Sequence, residues 1–335
     1  MYMIKPIYSP EANRYENGMK YRRCGKSGIL LPEISLGLWH NFGDVNTLSN
    51  SMDMAHYAFD HGITHFDLAN NYGPSYGSAE ETFGMIMKKS FMPYRDELFI
   101  SSKAGYDMWP GPYGNWGSRK YLFASLNQSL KRMNLEYVDL FYTHRPDPNT
   151  PIEETAQALV DIVSQGKALY VGISNYPTES AKICYDYLAA HDVPCLLYQG
   201  KYSMFVRNVE EGILQQAKEN GSGFIAFSPL AEGLLTNRYL NGIPEGSRIA
   251  NGGHLKKETL TENILGRMKA LNDLACERGQ SLAEMALAWL LKDDLVTSVI
   301  IGSSSVNQLE NNLKAIHSPG FSKEELQRIE DICKG

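Results

Sequence analysis

Four side chains of different acid–base character follow three successive apolar runs of the sequence. Asp67 lies near the end of the first run, and Tyr72 comes five residues later in a loop. Lys103 ends the second run, and His144 comes directly after the third. A carboxylate can hold a buried ammonium group, and a cation beside a phenol lowers the phenol pKa from about 10. Together these residue types are suited to transferring a proton onto an oxygen that gains negative charge.

Each of the four residues alone has an ordinary structural explanation. A strand-end aspartate such as Asp67 is most often a turn former, and a lone lysine is usually solvated. A histidine before an Arg-Pro pair is usually a loop residue. Their occurrence at adjacent strand ends, in this order, favours a shared role. In that interpretation Tyr72 donates a proton and Lys103 lowers its pKa. A neutral His144 then donates a hydrogen bond to the same oxygen, and the set offers no activated serine, no activated cysteine and no metal cage.

Short apolar runs alternate with amphipathic stretches along the chain, which predicts strands that alternate with helices. Eight runs are predicted to be strands: Ile34–Leu38, Thr64–Leu68, Leu98–Lys103, Tyr137–Thr143, Leu169–Ile173, Cys195–Gln199, Phe224–Ser228 and Ser298–Gly302. This alternation is typical of an α/β fold with a parallel sheet. Eight strands close a (β/α)8 TIM barrel, although an open doubly wound sheet has the same periodicity. In a barrel the strand ends would gather the four side chains on one rim.

Two amphipathic segments carry helix signals of their own. SRKYLFASLNQSLKRMN, residues 118–134, has apolar residues every three or four positions behind a candidate N-cap, Ser118: Leu122, Leu126, Leu130 and Met133. SKEELQRIEDI, residues 322–332, is predicted to be a terminal helix with a structural role. There Ser322 and Glu325 have the spacing of a capping box, with Leu326 and Ile329 facing inward.

Two further segments are predicted at the ends of the barrel. KYRRCGKSGILLPEI, residues 20–34, is typical of an N-terminal hairpin that turns at Gly25–Gly28. The stretch 231–260, after the seventh strand, has the least helical character and is predicted to be a long loop. Loops of that length inside a compact domain are usually functional.

Composition bounds the classes of protein that this chain can belong to. Its 335 residues, 43% of them hydrophobic, can bury a large core. Without a break in composition, residues 1–335 are predicted to form a single domain with a polar N-terminal tail at 1–19. The formal net charge is −6, and basic residues cluster only in short pairs, which argues against a nucleic-acid partner.

Membrane association and disulfide chemistry are also disfavoured. No run approaches the roughly 20 apolar residues of a membrane span, and the first 20 residues lack the apolar core of a signal peptide. The five cysteines are scattered and have no CxxC spacing. The expectation is a reduced, cytoplasmic protein without structural zinc.

The motifs FDLANNYG, ISSKAGY, YTHRPD and VGISNY together resemble the aldo-keto reductase superfamily, whose members use an Asp, Tyr, Lys and His tetrad. The resemblance runs from about Lys20 to Ile316. SLGLWHNFG and AFSPLAEGLLTNRYLNGIP are most similar to the branch of bacterial L-glyceraldehyde-3-phosphate reductases, which is related to potassium-channel β subunits. Relatives often form homo-oligomers, which the resemblance therefore implies here. It also implies that the catalytic positions are Asp67, Tyr72, Lys103 and His144.

The resemblance further implies a nicotinamide cofactor, NADPH or NADP+, across the barrel mouth. Two glycine motifs do not signal it: GSGFIA, residues 221–226, precedes a strand, and GKS, residues 25–27, lacks the spacing of a phosphate loop. By resemblance the cofactor-binding positions are Trp39, Asp67, Ser174, Asn175, Gln199, Ser228, Pro229, Leu230, Gly233, Arg238, Arg248, Gly302, Ser304, Gln308 and Asn312. Arg238 and Arg248 also suit phosphate chemically, because a guanidinium binds it bidentately.

The sequence departs from the family pattern at the adenosine end of this set. Several relatives carry a glutamate where this chain has Asn311. Better-known members use a lysine and an arginine where this chain has Gly302 and Gln308. A preference for NADPH over NADH is then expected to rest on Ser304 and the loop arginines.

A loop dense in aromatic residues, DMWPGPYGNWGSRK, follows Lys103. With Trp39 it could wall a small apolar-rimmed pocket, or its tryptophans could simply pack among themselves. The candidate substrate-binding positions are Trp39, Tyr72, His144 and Trp109.

The leading hypothesis is NADPH-dependent reduction of small aldehydes, such as glyceraldehyde-3-phosphate or methylglyoxal, to alcohols. The hydride would come from the nicotinamide and the proton from Tyr72. One alternative is an aldolase that uses Lys103 as a Schiff-base nucleophile, against which a carboxylate partner for that lysine argues. The other is a non-catalytic NADPH-sensing assembly subunit, which a complete tetrad disfavours.

Overall fold

The eight apolar runs form strands within three residues of their predicted bounds. The computed structural model describes residues 8–245 and 255–334. Its strands are β1 (Tyr21–Arg23), β2 (Leu30–Pro32), β3 (Ile34–Gly37), β4 (His65–Asp67), β5 (Phe99–Ala104), β6 (Val138–Thr143), β7 (Ala168–Ser174), β8 (Leu197–Lys201), β9 (Gly223–Phe227) and β10 (Ser298–Ile301). Strands β3 to β10 pair in parallel, each with the next, and β10 pairs with β3. The sheet is therefore closed, and the predicted TIM barrel is confirmed.

A helix follows every barrel strand and packs outside the sheet. The helices are α1 (Leu48–Asp60), α2 (Ser78–Ile86), α3 (Arg119–Met133), α4 (Ile152–Ser164), α5 (Thr178–Ala190), α6 (Ile213–Glu219), α7 (Glu262–Glu277), α8 (Leu282–Leu290), α9 (Val306–Leu313) and α10 (Lys323–Lys334). Helices α7 and α8 both lie between β9 and β10. Within the described residues, none of these helices is both long and apolar enough to cross a bilayer.

The helix caps predicted from the sequence are present at α3 and α10. The Ser118 side chain accepts a hydrogen bond from the Tyr121 backbone N–H and caps α3. Its leucines at 122, 126 and 130 are buried. At α10, Ser322 Oγ accepts from the Glu325 N–H (3.2 Å), and the Glu325 carboxylate accepts from the Ser322 N–H (2.6 Å). The predicted capping box is therefore present, with Ile329 fully buried and Leu326 half-buried.

The N-terminal hairpin covers one end of the barrel. Strands β1 and β2 pair antiparallel, and the Lys26 N–H donates to the Gly221 carbonyl oxygen (2.9 Å), just before β9 begins. Cys24 and Leu31 are fully buried in a cluster with Leu197 and Ile225. The amino ends of the strands are thus closed by apolar packing, which leaves the carboxyl ends as the open mouth.

The long loop after the seventh barrel strand is confirmed for its described part. Between β9 and α7 the described residues form short 3-10 turns at Ala231–Gly233, Asn237–Tyr239 and Lys257–Thr259. Ser228 and Glu232 both have positive φ, 53° and 60°. This sparsely populated conformation is typical of loops whose shape is fixed by a site.

The first described residues pack against the barrel helices. The Tyr8 ring stacks on His56 with 3.9 Å between ring centroids, and its hydroxyl donates to Asp60 Oδ1 (2.6 Å). Tyr8 and Met19 are both buried, so the polar N-terminal tail contains anchoring side chains. The division of the chain into domains stays a prediction.

Close helix packing predicts opposite effects of the same substitution at two helical glycines. Alanine normally stabilises a helix interior by about 0.5–1 kcal/mol relative to glycine. At Gly84 in α2, however, a Cβ would lie 2.1 Å from the Arg132 carbonyl oxygen of α3, whereas at Gly266 in α7 no described atom lies within 4 Å. We expect Gly84→Ala to lower the free energy of unfolding by about 1–3 kcal/mol and Gly266→Ala to raise it. Denaturant unfolding followed by circular dichroism measures both, and a stabilised Gly84→Ala would contradict the packing.

Candidate active site

A buried ion pair lies at the carboxyl ends of two neighbouring strands. Asp67 is the last residue of β4 and Lys103 is the last but one of β5. Lys103 Nζ donates to Asp67 Oδ2 (2.6 Å) and to the Leu68 carbonyl oxygen (2.7 Å). The lysine side chain is 0% exposed and the aspartate side chain 2%. An ammonium this deeply buried requires such partners.

The other two predicted residues lie beside this pair. Lys103 Nζ is 4.9 Å from the centroid of the Tyr72 ring. The Tyr72 and His144 ring centroids are 5.9 Å apart. The backbone N–H of His144 donates to the Ala104 carbonyl oxygen (2.9 Å). The structure therefore brings all four predicted side chains together on one rim of the barrel.

Burial sets the protonation of the tyrosine. Desolvation raises the pKa of Tyr72 well above its ordinary value, and the nearby Asp67 and Tyr106 raise this pKa further. The expectation that the pKa of Tyr72 is lowered was therefore wrong. The physical reason is that desolvation of the phenol outweighs the attraction of the Lys103 cation, whose charge Asp67 largely balances. Tyr72 consequently carries its proton at neutral pH.

The histidine and the lysine respond to the same burial. Desolvation, together with the Lys103 and Arg145 cations, lowers the pKa of His144 well below its ordinary value. The expectation of a neutral imidazole is confirmed. Burial also lowers the pKa of Lys103, and Asp67 opposes that effect. No described residue supplies a hydrogen-bond partner to the buried Nδ1 of His144.

A cleft of about 720 Å³ opens beside these residues and runs along the ends of β9 and β10. Twelve predicted positions line it: Trp39, Asp67, Tyr72, Ser228, Pro229, Leu230, Gly233, Arg238, Gly302, Ser304, Gln308 and Asn312. At Gly302 no described atom lies within 4 Å of where a Cβ would sit. Asn312 is 3% exposed, and its Nδ2 has no hydrogen-bond partner among the described residues. Free space beside Gly302 and an unpaired hydrogen-bond donor at Asn312 are features that a polar ligand would use.

Three predicted cofactor positions do not line this cleft: Gln199 and Asn175 contact the tetrad, and Ser174 contacts Asn175. Gln199 Nε2 donates to Asp67 Oδ1 (3.1 Å). Asn175 Nδ2 donates to the His144 carbonyl oxygen and to Ser174 Oγ, each at 3.1 Å. Arg248 lies outside the described residues.

The structure adds two residues that the sequence did not single out. The Tyr106 ring meets the His144 ring edge-on with 4.7 Å between centroids. The Arg145 guanidinium lies 4.1 Å from the Tyr106 ring and 3.7 Å from the Trp116 ring. Each follows a barrel strand by two residues, Tyr106 after β5 and Arg145 after β6, and that position close to Lys103 or His144 in sequence is the signal that could have identified them.

Trp109 packs against helix α3. Its ring lies 5.2 Å from the Tyr121 ring, and it is absent from the described lining of the cleft. The proposed contact between Trp109 and a substrate stays a prediction. Trp39, by contrast, lines the cleft and lies 6.0 Å from the Tyr72 ring.

Comparison with known proteins agrees with this geometry. The profile described as Aldo/keto reductase family matches residues 33–334. The chain belongs to that family. It is 57% identical over 317 residues to the L-glyceraldehyde 3-phosphate reductase of Escherichia coli (strain K12), covering 93% of this chain and 92% of that protein. It is 34% identical to a probable voltage-gated potassium channel subunit beta of Arabidopsis thaliana, covering 94% of this chain and 97% of that protein.

Family membership makes the chain an oxidoreductase. Aldo-keto reductases generally use nicotinamide cofactors.

The buried ion pair predicts a stability effect that a second substitution reverses. Lys103→Met leaves the Asp67 carboxylate buried without its counterion, so we expect the free energy of unfolding to fall by about 3–5 kcal/mol. The double variant Asp67→Asn with Lys103→Met leaves no unpaired charge and should recover most of that loss. Chemical denaturation of all three proteins measures the difference. If the double variant is as unstable as Lys103→Met, the loss comes from packing at position 103 and not from the carboxylate.

Proposed function

We propose that this aldo-keto reductase reduces small aldehydes to alcohols with NADPH, and that Tyr72 donates the proton. The observation that carries the proposal is a partly buried, protonated phenol beside a paired lysine and a neutral imidazole, at the edge of a deep cleft. These groups face one space where a carbonyl oxygen can be held and protonated.

Each of the four side chains has a separate role in the protonation of that oxygen. Tyr72 donates its O–H as negative charge develops on the substrate oxygen. A ring N–H of neutral His144 donates a second hydrogen bond to that oxygen and fixes its direction. Loss of the proton leaves a phenolate at Tyr72, which the Lys103 ammonium beside the ring stabilises in this water-poor site. Asp67 keeps the lysine charged.

The cleft supports a dinucleotide in chemistry as well as in size. Its volume lies in the range of ligand pockets, roughly 300–1,000 Å³. Asn312 Nδ2 offers an unused donor, Arg238 offers a cation, and the amino end of α9 at Val306 favours an anion. Ser304 and Gln308, joined by a 3.0 Å hydrogen bond, are the expected contacts of a 2′-phosphate. When bound, the nicotinamide supplies the hydride that the carbonyl carbon accepts.

The proposed substrate class rests on the aromatic residues Trp39 and Tyr72 that line the cleft and on the relatives. Because the 57% identical relative is named for L-glyceraldehyde 3-phosphate, we propose this compound and small aldehydes such as methylglyoxal as substrates. We also propose that the protein works in the cytoplasm as a homo-oligomer.

The alternatives gain no specific support. An aldolase needs a neutral lysine nucleophile, whereas Lys103 donates to a carboxylate at 2.6 Å. A purely sensing subunit would not require a phenol, a lysine and an imidazole together on one rim of the barrel.

Replacing the proton donor tests the proposal most directly. Tyr72→Phe should lower kcat for aldehyde reduction by about 10²–10⁴-fold, because a general acid contributes about that much. The dissociation constant of NADPH, measured by fluorescence titration, should stay within about twofold, since the ring and its contacts remain. Tyr170→Phe, on β7 and half-buried, is the matched control and should keep its activity. Equal losses in the two variants, or loss of NADPH binding with Tyr72→Phe, would refute the assigned role.

A substrate panel tests the specificity. NADPH oxidation is followed with glyceraldehyde-3-phosphate, methylglyoxal and aromatic aldehydes, and kcat/KM is compared. With NADH in place of NADPH we expect kcat/KM to fall by about tenfold or more, because NADH lacks the 2′-phosphate and the charged hydrogen bond that this group would accept. If the protein binds NADPH but none of the tested aldehydes supports NADPH oxidation, the result would instead support the non-catalytic alternative.

A further inference from the structure

A continuous line of polar side chains crosses the interior of the barrel and ends on Asp67. Ser298 Oγ lies 2.6 Å from Ser35 Oγ, and Ser35 Oγ lies 2.9 Å from His65 Nδ1. His65 Nε2 lies 3.0 Å from Ser101 Oγ, and Ser101 Oγ lies 2.7 Å from Asp67 Oδ1. Four of these side chains are fully buried, and Asp67 is 2% exposed. We call these five residues the interior chain.

The interior chain follows from strand geometry. Side chains two apart on a strand share a face, so His65 lies below Asp67 on β4 and Ser101 lies below Lys103 on β5. Asp67 and Ser101 are also direct partners across the β4–β5 pair. Four adjacent strands, β10, β3, β4 and β5, thus each contribute to one row of contacts.

The donors and acceptors in this row can be assigned from the tetrad downward. The Asp67 carboxylate only accepts, so the Ser101 hydroxyl donates to it. A serine hydroxyl has one hydrogen, so Ser101 must accept its other hydrogen bond from the Nε2–H of His65. In a neutral imidazole Nδ1 is then an acceptor, and Ser35 donates to it. Burial lowers the pKa of His65 to about 4, so the ring is neutral at pH 7.

The same logic orients the far end of the row. The one hydrogen of Ser35 Oγ is committed to His65, so Ser35 accepts from Ser298. The other contact of Ser298 Oγ, to the Glu33 carbonyl oxygen, is longer at 3.4 Å. Every hydrogen in the interior chain therefore points toward the catalytic carboxylate.

We propose that His65 is a positioning residue: as the neutral Nε2–H tautomer it holds Ser101 so that the Ser101 hydroxyl donates to Asp67 and fixes the carboxylate facing Lys103. Ser101 and Gln199 donate to Oδ1, which leaves Oδ2 for the lysine. Without the Ser101 donor the carboxylate is free to rotate, and Lys103 loses its fixed position beside the Tyr72 ring. The catalytic part of this inference rests on the proposed function, whereas the tautomer of His65 does not.

The tautomer is tested by nitrogen NMR on the full chain labelled with ¹⁵N-histidine, at neutral pH. His65→Gln identifies the His65 signals by their disappearance. We expect the Nε2-protonated form. A ring protonated on Nδ1, or on both nitrogens, would overturn the inference.

The positioning role is tested with two serines that are neighbours on β5. Ser101 Oγ donates to Asp67 inside the barrel, while Ser102 Oγ donates to Glu80 on the outside at 2.6 Å. Both serines are fully buried, so Ser102→Ala is the matched control for loss of a hydroxyl bound to a carboxylate. We expect Ser101→Ala to lower kcat for aldehyde reduction by about tenfold, as for a charge-assisted hydrogen bond. Aldehyde KM and the NADPH dissociation constant should change by less than about twofold.

Ser102→Ala should keep its kcat. Equal falls in kcat in the two variants, or a change in NADPH binding that accounts for the fall, would overturn the positioning role.

Rescue by a conservative variant separates positioning from folding. His65→Gln keeps an N–H that can donate to Ser101, whereas His65→Leu removes it, so the glutamine variant should retain the higher kcat. Equal activities would contradict the proposal, and circular dichroism checks that both variants fold. If the unsubstituted protein reduces no aldehyde, the proposed function fails and the catalytic role of His65 falls with it. An active protein with a fully active Ser101→Ala variant refutes the positioning role alone.

Discussion

The ion pair between Asp67 and Lys103 is the constraint on which the site depends. Removing an ammonium and a carboxylate from water is costly, and only close pairing with further hydrogen bonds offsets that cost. Lys103 donates to Asp67 and to the Leu68 carbonyl oxygen, and the carboxylate accepts from Ser101 and Gln199. Because β4 and β5 are hydrogen-bonded neighbours, the backbone register itself brings the two charges together.

The two ends of the barrel differ in polarity, and this difference determines where the polar site lies. At the amino ends the hairpin β1–β2 buries Cys24 and Leu31 against apolar strand residues, so that end is closed. Toward the carboxyl ends the interior becomes polar, through His65 and Ser101 to the ion pair. The phenol of Tyr72 then lies between this polar interior and the cleft, with the ring of His144 beside it. Catalytic groups of parallel barrels generally occupy this carboxyl face.

Burial explains the protonation of the site better than nearby charge does. Lys103 lies beside the Tyr72 ring, yet the pKa of Tyr72 is raised, because desolvation of the phenol outweighs the attraction of a cation whose charge Asp67 largely balances. The same low-dielectric surroundings keep His144 neutral. A protonated phenol and a neutral imidazole can both donate hydrogen bonds to an oxygen, which connects the electrostatics of the barrel mouth with the proposed carbonyl reduction.

Local sequence patterns were enough to predict the strands, the helix caps at Ser118 and Ser322 and an α/β fold of eight strands, because periodicity and capping depend on residues a few positions apart. Family resemblance then assigned the tetrad at Asp67, Tyr72, Lys103 and His144. The row from Ser298 through His65 to Asp67 was decided only by the tertiary structure, as were the direction of the Tyr72 pKa and the packing of Trp109 on Tyr121. Those features depend on which strands become neighbours and on how completely a side chain leaves water. Ser35 and Ser298 meet because the barrel closes, and no local pattern encodes that contact.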